Sequence, residues 1–256
     1  MGRFFSRFRG LRGRLIIAFA GVVLIGCLAL TALSLNRAGN ALAEEANEAM
    51  LKVAQQVAAR VELEIQARLQ AIESFAARNV MQNSGQDTDE SILEKVQALE
   101  DEYQRIKDMG FIRLGIADKN GLVMFNDGGT LDISDREHFH LAMQGQSAVS
   151  STLVSRVDGV VTMAHTTPIR DHVTDEIQGV ILGTADGGVL SEMLESIRYG
   201  DTGYAYIIDG EGKTIGHKDI QKVLEEENTI KLAETNADLV SIGNVMRKMI
   251  TAEEGL

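Results

Sequence analysis

The residues best suited to chemistry lie between Asp132 and His140, where three carboxylates and two imidazoles fall within nine positions. Asp132, Asp135, His138 and His140 have the ligand types of a divalent-cation site. The spacing argues against one. Ser134-Asp135-Arg136-Glu137 has the Ser-x-x-Glu form of a capping box, which predicts a helix over Asp135–Met143. Residues two apart on a helix point about 200° apart, so His138 and His140 cannot reach one ion. The same helix start puts Arg136 and His138 in a first turn, where unpaired backbone N–H groups and the guanidinium fork favour a carboxylate. Two readings of Arg136 follow: an anion site, or a surface side chain paired with a neighbouring acid.

The rest of the chain offers no catalytic constellation. No His-Glu-x-x-His, Gly-x-Ser-x-Gly, Walker or dinucleotide fingerprint occurs among its 256 residues. A single Cys excludes an intramolecular disulfide framework and a Cys-cluster zinc site. The net charge of −12 excludes a typical nucleic-acid binder. Its distribution is uneven: residues 1–36 hold five Arg and no acid, which leaves −17 on residues 37–256.

Between Arg14 and Arg37, the 22 residues Leu15 to Asn36 carry no charge. As a helix they span about 33 Å, enough for a ~30 Å hydrocarbon core. Arg3, Arg7, Arg9, Arg12 and Arg14 precede them, so the positive-inside rule keeps the N-terminus cytoplasmic and exports residues 37 onward. A cleaved signal peptide would have a shorter apolar region, and a lipoprotein processed at Cys27 would turn polar at once. The loose myristoylation pattern at Met1–Ser6 is redundant beside an apolar span. An uncleaved anchor, with membrane lipid as its partner, is the expectation.

From Asn40 to about Asn83, Leu42, Ala46, Met50, Val53, Val57, Val61, Ile65, Leu69, Ile72 and Phe75 recur at spacings of three and four. They form one apolar stripe on a continuous helix. It packs against a core, forms a homodimer stalk, or does both at different heights. Asn83–Asp89 interrupts the pattern, and Ser91 to about Met109 resumes a helix.

The period then changes. Phe111–Ala117 and Leu122–Phe125 read as strands joined by Asp118-Lys119-Asn120-Gly121, whose Asn-Gly pair suits a tight hairpin. The pattern returns in Tyr204–Ile208, Asp209-Gly210-Glu211-Gly212 and Lys213–His217, with Asp118 aligned to Asp209 and Gly121 to Gly212. Ala148–Ser155, Gly159–Ile169 and Ile177–Asp186 supply further strands, with turns at Arg156–Gly159 and Asp171–Glu176. Lys222–Glu227 and Leu239–Ala252 are helical. The fold class is α+β, with two similar units in tandem.

Asp135-Arg136-Glu137-His138-Phe139, Thr167-Pro168-Ile169, Gly179–Asp186 and Gly200–Asp209 through His217, taken in order, resemble the double Cache (dCache) extracellular sensor domain. Bacterial transmembrane receptors such as methyl-accepting chemotaxis proteins carry this domain. The resemblance implies a basic tail and transmembrane helix at 1–36, a helical stalk at 37–110, a membrane-distal PAS-like module at 111–198 and a membrane-proximal PAS-like module at 199–256. It also implies that the proximal module is incomplete, because Met249–Gly255 resembles a helix-to-strand junction inside it. The function implied is extracytoplasmic sensing of a small molecule, without catalysis and without a cofactor.

Carried over by residue, the resemblance gives Arg136 the ligand carboxylate and Asp186 the ligand ammonium. His138 and Phe139 stand where amino-acid sensors have Trp and Tyr. Ser150 and Thr152 replace a Tyr and an Asp, and Leu131 stands at another Tyr position. An amino acid or a plain organic acid are both admitted. Other readings are a structural or dimerisation module with a vestigial pocket, and the sensor part of a histidine kinase or cyclic-dinucleotide enzyme.

Overall fold

A computed structural model describes residues 11–82, 89–155, 159–195, 197–199 and 202–251. The expected basic residues Arg3, Arg7 and Arg9, most of the 83–89 break, the turn residues 156–158, Gly200-Asp201 and residues 252–255 lie outside these. The chain divides into two units, residues 1–55 and 56–256.

Among its described residues the first unit contains only helix, the leading part of α1 (Leu11–Ala76). Its apolar side chains face outward, with Phe19 74% and Val22 70% exposed, and α1 is long and apolar enough to cross a membrane. The stripe behaves differently along its length. Leu42 is 69% exposed, whereas Ile72 and Phe75, in the second unit, are fully buried. The helix stops at Ala76 instead of running on to Asn83, and a short α2 (Asn79–Gln82) buries Met81 after the turn. α3 (Asp89–Ile106) follows and ends in a single 3-10 turn at Lys107–Met109. Gly110, at φ +86°, closes it in the left-handed conformation that glycine adopts without a Cβ clash.

Seven antiparallel strands make the sheet of the second unit: β1 (Phe111–Ala117), β2 (Leu122–Phe125), β3 (Thr130–Asp132), β4 (Ala148–Val149), β5 (Leu153–Val154), β6 (Val161–Arg170) and β7 (Ile177–Asp186). Their order is β3-β2-β1-β7-β6-β4, with β5 also pairing β6. β7 lies between β1 and β6 and is apolar on both faces, as a central strand must be. Ile181 and Ala185 face one way, into a core of Ile72, Phe75, Met81, Leu99 and Ile106 supplied by α1, α2 and α3. Val180 and Leu182 face the other way, with Phe125, Ile133, Phe139 and Ala142. Phe139 and Ala142 belong to α4 (Glu137–Met143), which covers part of that second face.

Several expectations shift by a residue or two. α4 starts at Glu137, not Asp135, and Arg136 is its N-cap with no side-chain cap bond. The capping box fails because Asp132 competes: its Oδ1 accepts the Ser134 N–H at 2.8 Å. The expected strand over Ala148–Ser155 is broken into β4 and β5. At the break, Ser150 Oγ donates to the Ser151 carbonyl and accepts the Ala164 N–H, replacing part of the ladder. The strand over Tyr204–Ile208 is likewise split at Ala205, between β9 (Gly203–Tyr204), which pairs with β8 (Arg198–Tyr199), and β10 (Tyr206–Ile208).

Beyond the sheet, α5 (Val189–Glu195) leads to these short strands. β10 pairs with β11 (Thr214–His217), and four short helical pieces follow: α6 (Gln221–Leu224), α7 (Thr229–Leu232), a 3-10 turn at Ala237–Leu239 and α8 (Val240–Ile250). Asn228 caps α7 by accepting the Lys231 N–H and also donates to the Glu211 carbonyl, which ties the helix to the β10–β11 turn. Gly243 lets α8 approach α7 closely: a Cβ there would lie 2.7 Å from that of Ala233.

Candidate functional site

Sheet alternation builds a cavity on the face away from α1–α3. Leu182 and Thr184 on β7, and Thr162 and Ala164 on β6, lie two apart and therefore point the same way. Register puts Arg113, Thr184 and Ala164 in one row across β1, β7 and β6. Phe125, Leu131, Ile133 and Leu153 form apolar walls, and Arg136 and His138 enter from the start of α4. The cavity is small and open at its mouth, with about 60 Å³ of room for the centres of water-sized molecules.

Two guanidiniums reach it. Arg113 sits where the β1–β7 register slips between Phe111 and Arg113. The bulge changes the alternation, so that Ile112 and Arg113 both line the cavity while Phe111 packs into the opposite core. Arg113 forms an ion pair with Asp127, Nε lying 2.9 Å from Oδ2, and its guanidinium lies 5.5 Å from the centre of the Phe125 ring. Asp127 is itself oriented by the Gly129 N–H. Arg136 makes a looser contact with Asp135, at 3.8 Å. Both side chains are about one quarter exposed, at 24% and 25%.

His138 is buried at 6% exposure, and its pKa is pushed down to about 4. Desolvation of the imidazolium is the main cause. The positive charge of Arg136 adds to it, and Asp135 opposes it. The imidazole is therefore neutral at pH 7, and the cavity's positive charge resides on the two arginines.

Of the six residues expected from the sequence, Arg136 and His138 line the cavity together. Phe139 points into the core beneath α4, its ring 5.9 Å from that of His140. Ser150 is occupied in the β4–β5 break, and Thr152 is buried beside it without lining the cavity. Asp186 ends β7 next to Thr162; it is exposed, and its Oδ1 accepts the Gly188 N–H at 2.8 Å. Leu131 is present as an apolar wall. Sequence reading missed Arg113, Thr162 and Thr184. The signal for Arg113 was a lone charge inside the apolar run Phe111–Ala117, but simple alternation would have sent it to the Phe111 side. Among the described residues no group of His, Cys, Asp and Glu is placed to hold a metal ion, and His138 and His140 diverge on α4 as their spacing requires.

An antiparallel sheet with a long helix against one face, and a cavity beneath a short helix on the other, is the architecture of an extracellular sensor domain of the Cache or PAS-like kind. The Cache domain model of the dCache type matches residues 38–255, and the chain belongs to that family. Among solved structures it resembles the ligand-binding domain of the Pseudomonas fluorescens chemoreceptor CtaA in complex with L-serine. The TM-score is 0.58 at 17% identity, covering 71% of this chain and 76% of that one. It equally resembles the ligand-binding domain of the Pseudomonas aeruginosa PAO1 amino acid chemoreceptor PctC in complex with GABA, with TM-score 0.58, 18% identity, and 70% and 78% covered. A comparison with curated proteins finds no match.

Proposed function

We propose that this chain is the extracytoplasmic sensing region of a membrane receptor and that the cavity beneath α4 binds a small carboxylate-bearing molecule. The observation that carries this is the meeting of Arg136 and His138, with a second arginine, in a largely apolar cavity of the dCache sheet. The amino-acid complexes of CtaA and PctC support a small organic ligand. Residues 1–36 form the cytoplasmic tail and membrane helix in this reading, 37–110 the stalk, 111–198 the distal module and 199–256 a proximal one. The chain senses and does not catalyse. The exposed lower stripe, with Leu42 at 69% and Val53 at 40% exposure, meets lipid or the same stripe of a second copy.

Thermal unfolding of the full chain in detergent tests the reading, with amino acids and small organic acids screened at high concentration. A ligand at a hundred times its Kd adds about 2.7 kcal/mol of stability. Arg136→Gln abolishes that shift. If no compound shifts the transition, the sensing role falls. Ligand-free dimers in sedimentation would then favour a structural role for the stalk.

A further inference from the structure

We infer that the cavity is specific for an organic diacid with a short apolar body and no amino group, one carboxylate meeting Arg136 and the other Arg113. This rests on the proposed sensing role and narrows it to a ligand class.

The argument is one of charge. An α-amino acid is a zwitterion, and its ammonium needs an anionic or strongly accepting partner once removed from water. No Asp or Glu lines the cavity among the described residues. Asp186, the carboxylate that the sequence suggests for that task, lies exposed at the end of β7 with one oxygen holding the Gly188 N–H. The neutral groups lining the space are the hydroxyls of Ser155, Thr162 and Thr184 and the His138 imidazole. Beside them stand two permanent cations whose own aspartates, Asp127 at 2.9 Å from Arg113 and Asp135 at 3.8 Å from Arg136, do not line the space. An ammonium entering here would be repelled by Arg113 and Arg136 and would gain no counter-charge from the described lining.

A second carboxylate reverses the sign. The ion pair with Asp127, 2.9 Å from Nε, restrains the Arg113 guanidinium while involving only one of its three nitrogens. Phe125 lies against that guanidinium and restricts it further. A group already oriented loses less freedom when it binds. Between the two arginines the walls are Phe125, Leu131, Leu153 and Leu182, which suit methylene or aromatic carbon and offer little to a polar midsection. Asp127 is 42% exposed, so its pull on Arg113 is weakened by water while a ligand carboxylate in the cavity is not.

The test is calorimetric titration of the full chain in detergent with succinate, glutarate and phthalate, set beside L-serine, L-leucine and GABA. At least one diacid binds and the amino acids do not. Arg113→Gln and Arg136→Gln each weaken the diacid by about tenfold to a hundredfold, as loss of a charge-assisted bond requires. Asp127→Asn, which releases Arg113 from its internal partner without touching the cavity wall, tightens it several-fold. Unchanged melting of each ligand-free variant separates lost binding from lost folding. Binding of amino acids in place of diacids, with sensitivity to Asp186→Asn, overturns the diacid assignment and leaves the sensing role standing. Failure of all six compounds removes the diacid assignment, and the sensing role falls with it only if the wider thermal screen also finds no ligand.

Discussion

Asp118 and Asp209 make the same four hydrogen bonds. In each, Oδ1 accepts the backbone N–H groups two and four residues ahead, all at 2.9 Å. The backbone carbonyl accepts the N–H of the following glycine, Gly121 or Gly212, at 3.1 and 3.0 Å, and the backbone N–H donates to the carbonyl four residues on. The glycines stand at φ +90° and +81°. The repeat read from the sequence is thus a repeat of geometry. The turn differs from the expected Asn-Gly type in one respect: among the described residues, only Asp175 and Glu226 take positive φ without being glycine, so Asn120 does not. The aspartate carboxylate, not a second left-handed residue, shapes the corner.

Replacing either aspartate by alanine should therefore destabilise by similar amounts, about 1 kcal/mol each, because two backbone donors lose their protein partner but stay near water. Asn at the same positions keeps the acceptor and most of the stability. Urea unfolding with both series checks this; a large cost at Asp118 and none at Asp209 would show that only the first turn contributes to cooperative unfolding.

Close contacts across the β1–β7 pair fix two glycines of β7. A Cβ on Gly179 would lie 2.4 Å from the Ala117 carbonyl oxygen, and one on Gly183 would lie 2.5 Å from the Phe111 ring. Ala at either position should cost about 1–3 kcal/mol. Gly183→Ala should be relieved by Phe111→Leu, since the obstacle is a side chain. Gly179→Ala should not be relieved by any single side-chain change, since the obstacle is backbone. Melting temperatures of the two double variants decide.

Acid should weaken the fold before carboxylates titrate. His165 is fully buried with neither ring nitrogen hydrogen-bonded among the described residues. Burial first, and the Arg68 charge second, push its pKa down to about 4, as for His138. Both bind a proton more readily unfolded, where the pKa is about 6.5. Their stabilising contribution is complete above pH 6.5 and falls as the pH drops towards 4, with a slope of up to about 1.4 kcal/mol per unit for each group. His165→Met should flatten the urea-derived stability profile between pH 6.5 and 4. An equally steep profile would place the acid sensitivity elsewhere.

Glu102 is buried at 1% exposure while both its partners are half-open, with Arg78 at 2.7 Å and Arg105 bonding both carboxylate oxygens. Glu102→Gln should cost about 2 kcal/mol, since charge-assisted bonds become neutral ones at a site water cannot reach. Arg105→Gln, whose side chain is 59% exposed, should cost less than half of that. Equal losses in thermal unfolding would count against burial as the cause.

The strands with strong apolar runs were legible to the residue: Phe111–Ala117, Leu122–Phe125 and Ile177–Asp186 all appear with the bounds their composition predicts. The first and last of these are central strands covered on both faces, and the middle one is bounded by the Asp118–Gly121 turn. Helix ends were less legible, because Ser134 and Asp132 compete for the same backbone and only packing decides between them. The candidate site was legible in part. Arg136 and His138 stand at a helix start as expected, although the capping box that suggested it does not form, whereas Arg113 depends on a bulge, and a bulge is a property of two strands together. Phe139, Ser150, Thr152 and Asp186 are near the cavity in sequence, yet core packing and backbone hydrogen bonds claim them first.

The junction before β1 has one further consequence. Arg68, buried on α1, donates Nε–H to the Met109 carbonyl at 2.7 Å, and the adjacent Gly110 carbonyl accepts the Asp186 N–H at 3.2 Å. Two neighbouring peptide groups are thus clamped from opposite sides, by the long helix and by the far end of the central strand, three residues ahead of Arg113. In the proposed sensing role, this junction is the direct covalent and hydrogen-bonded route from Arg113 to α1, and by reciprocity a displacement of α1 that reached Arg113 would alter how tightly a ligand is held.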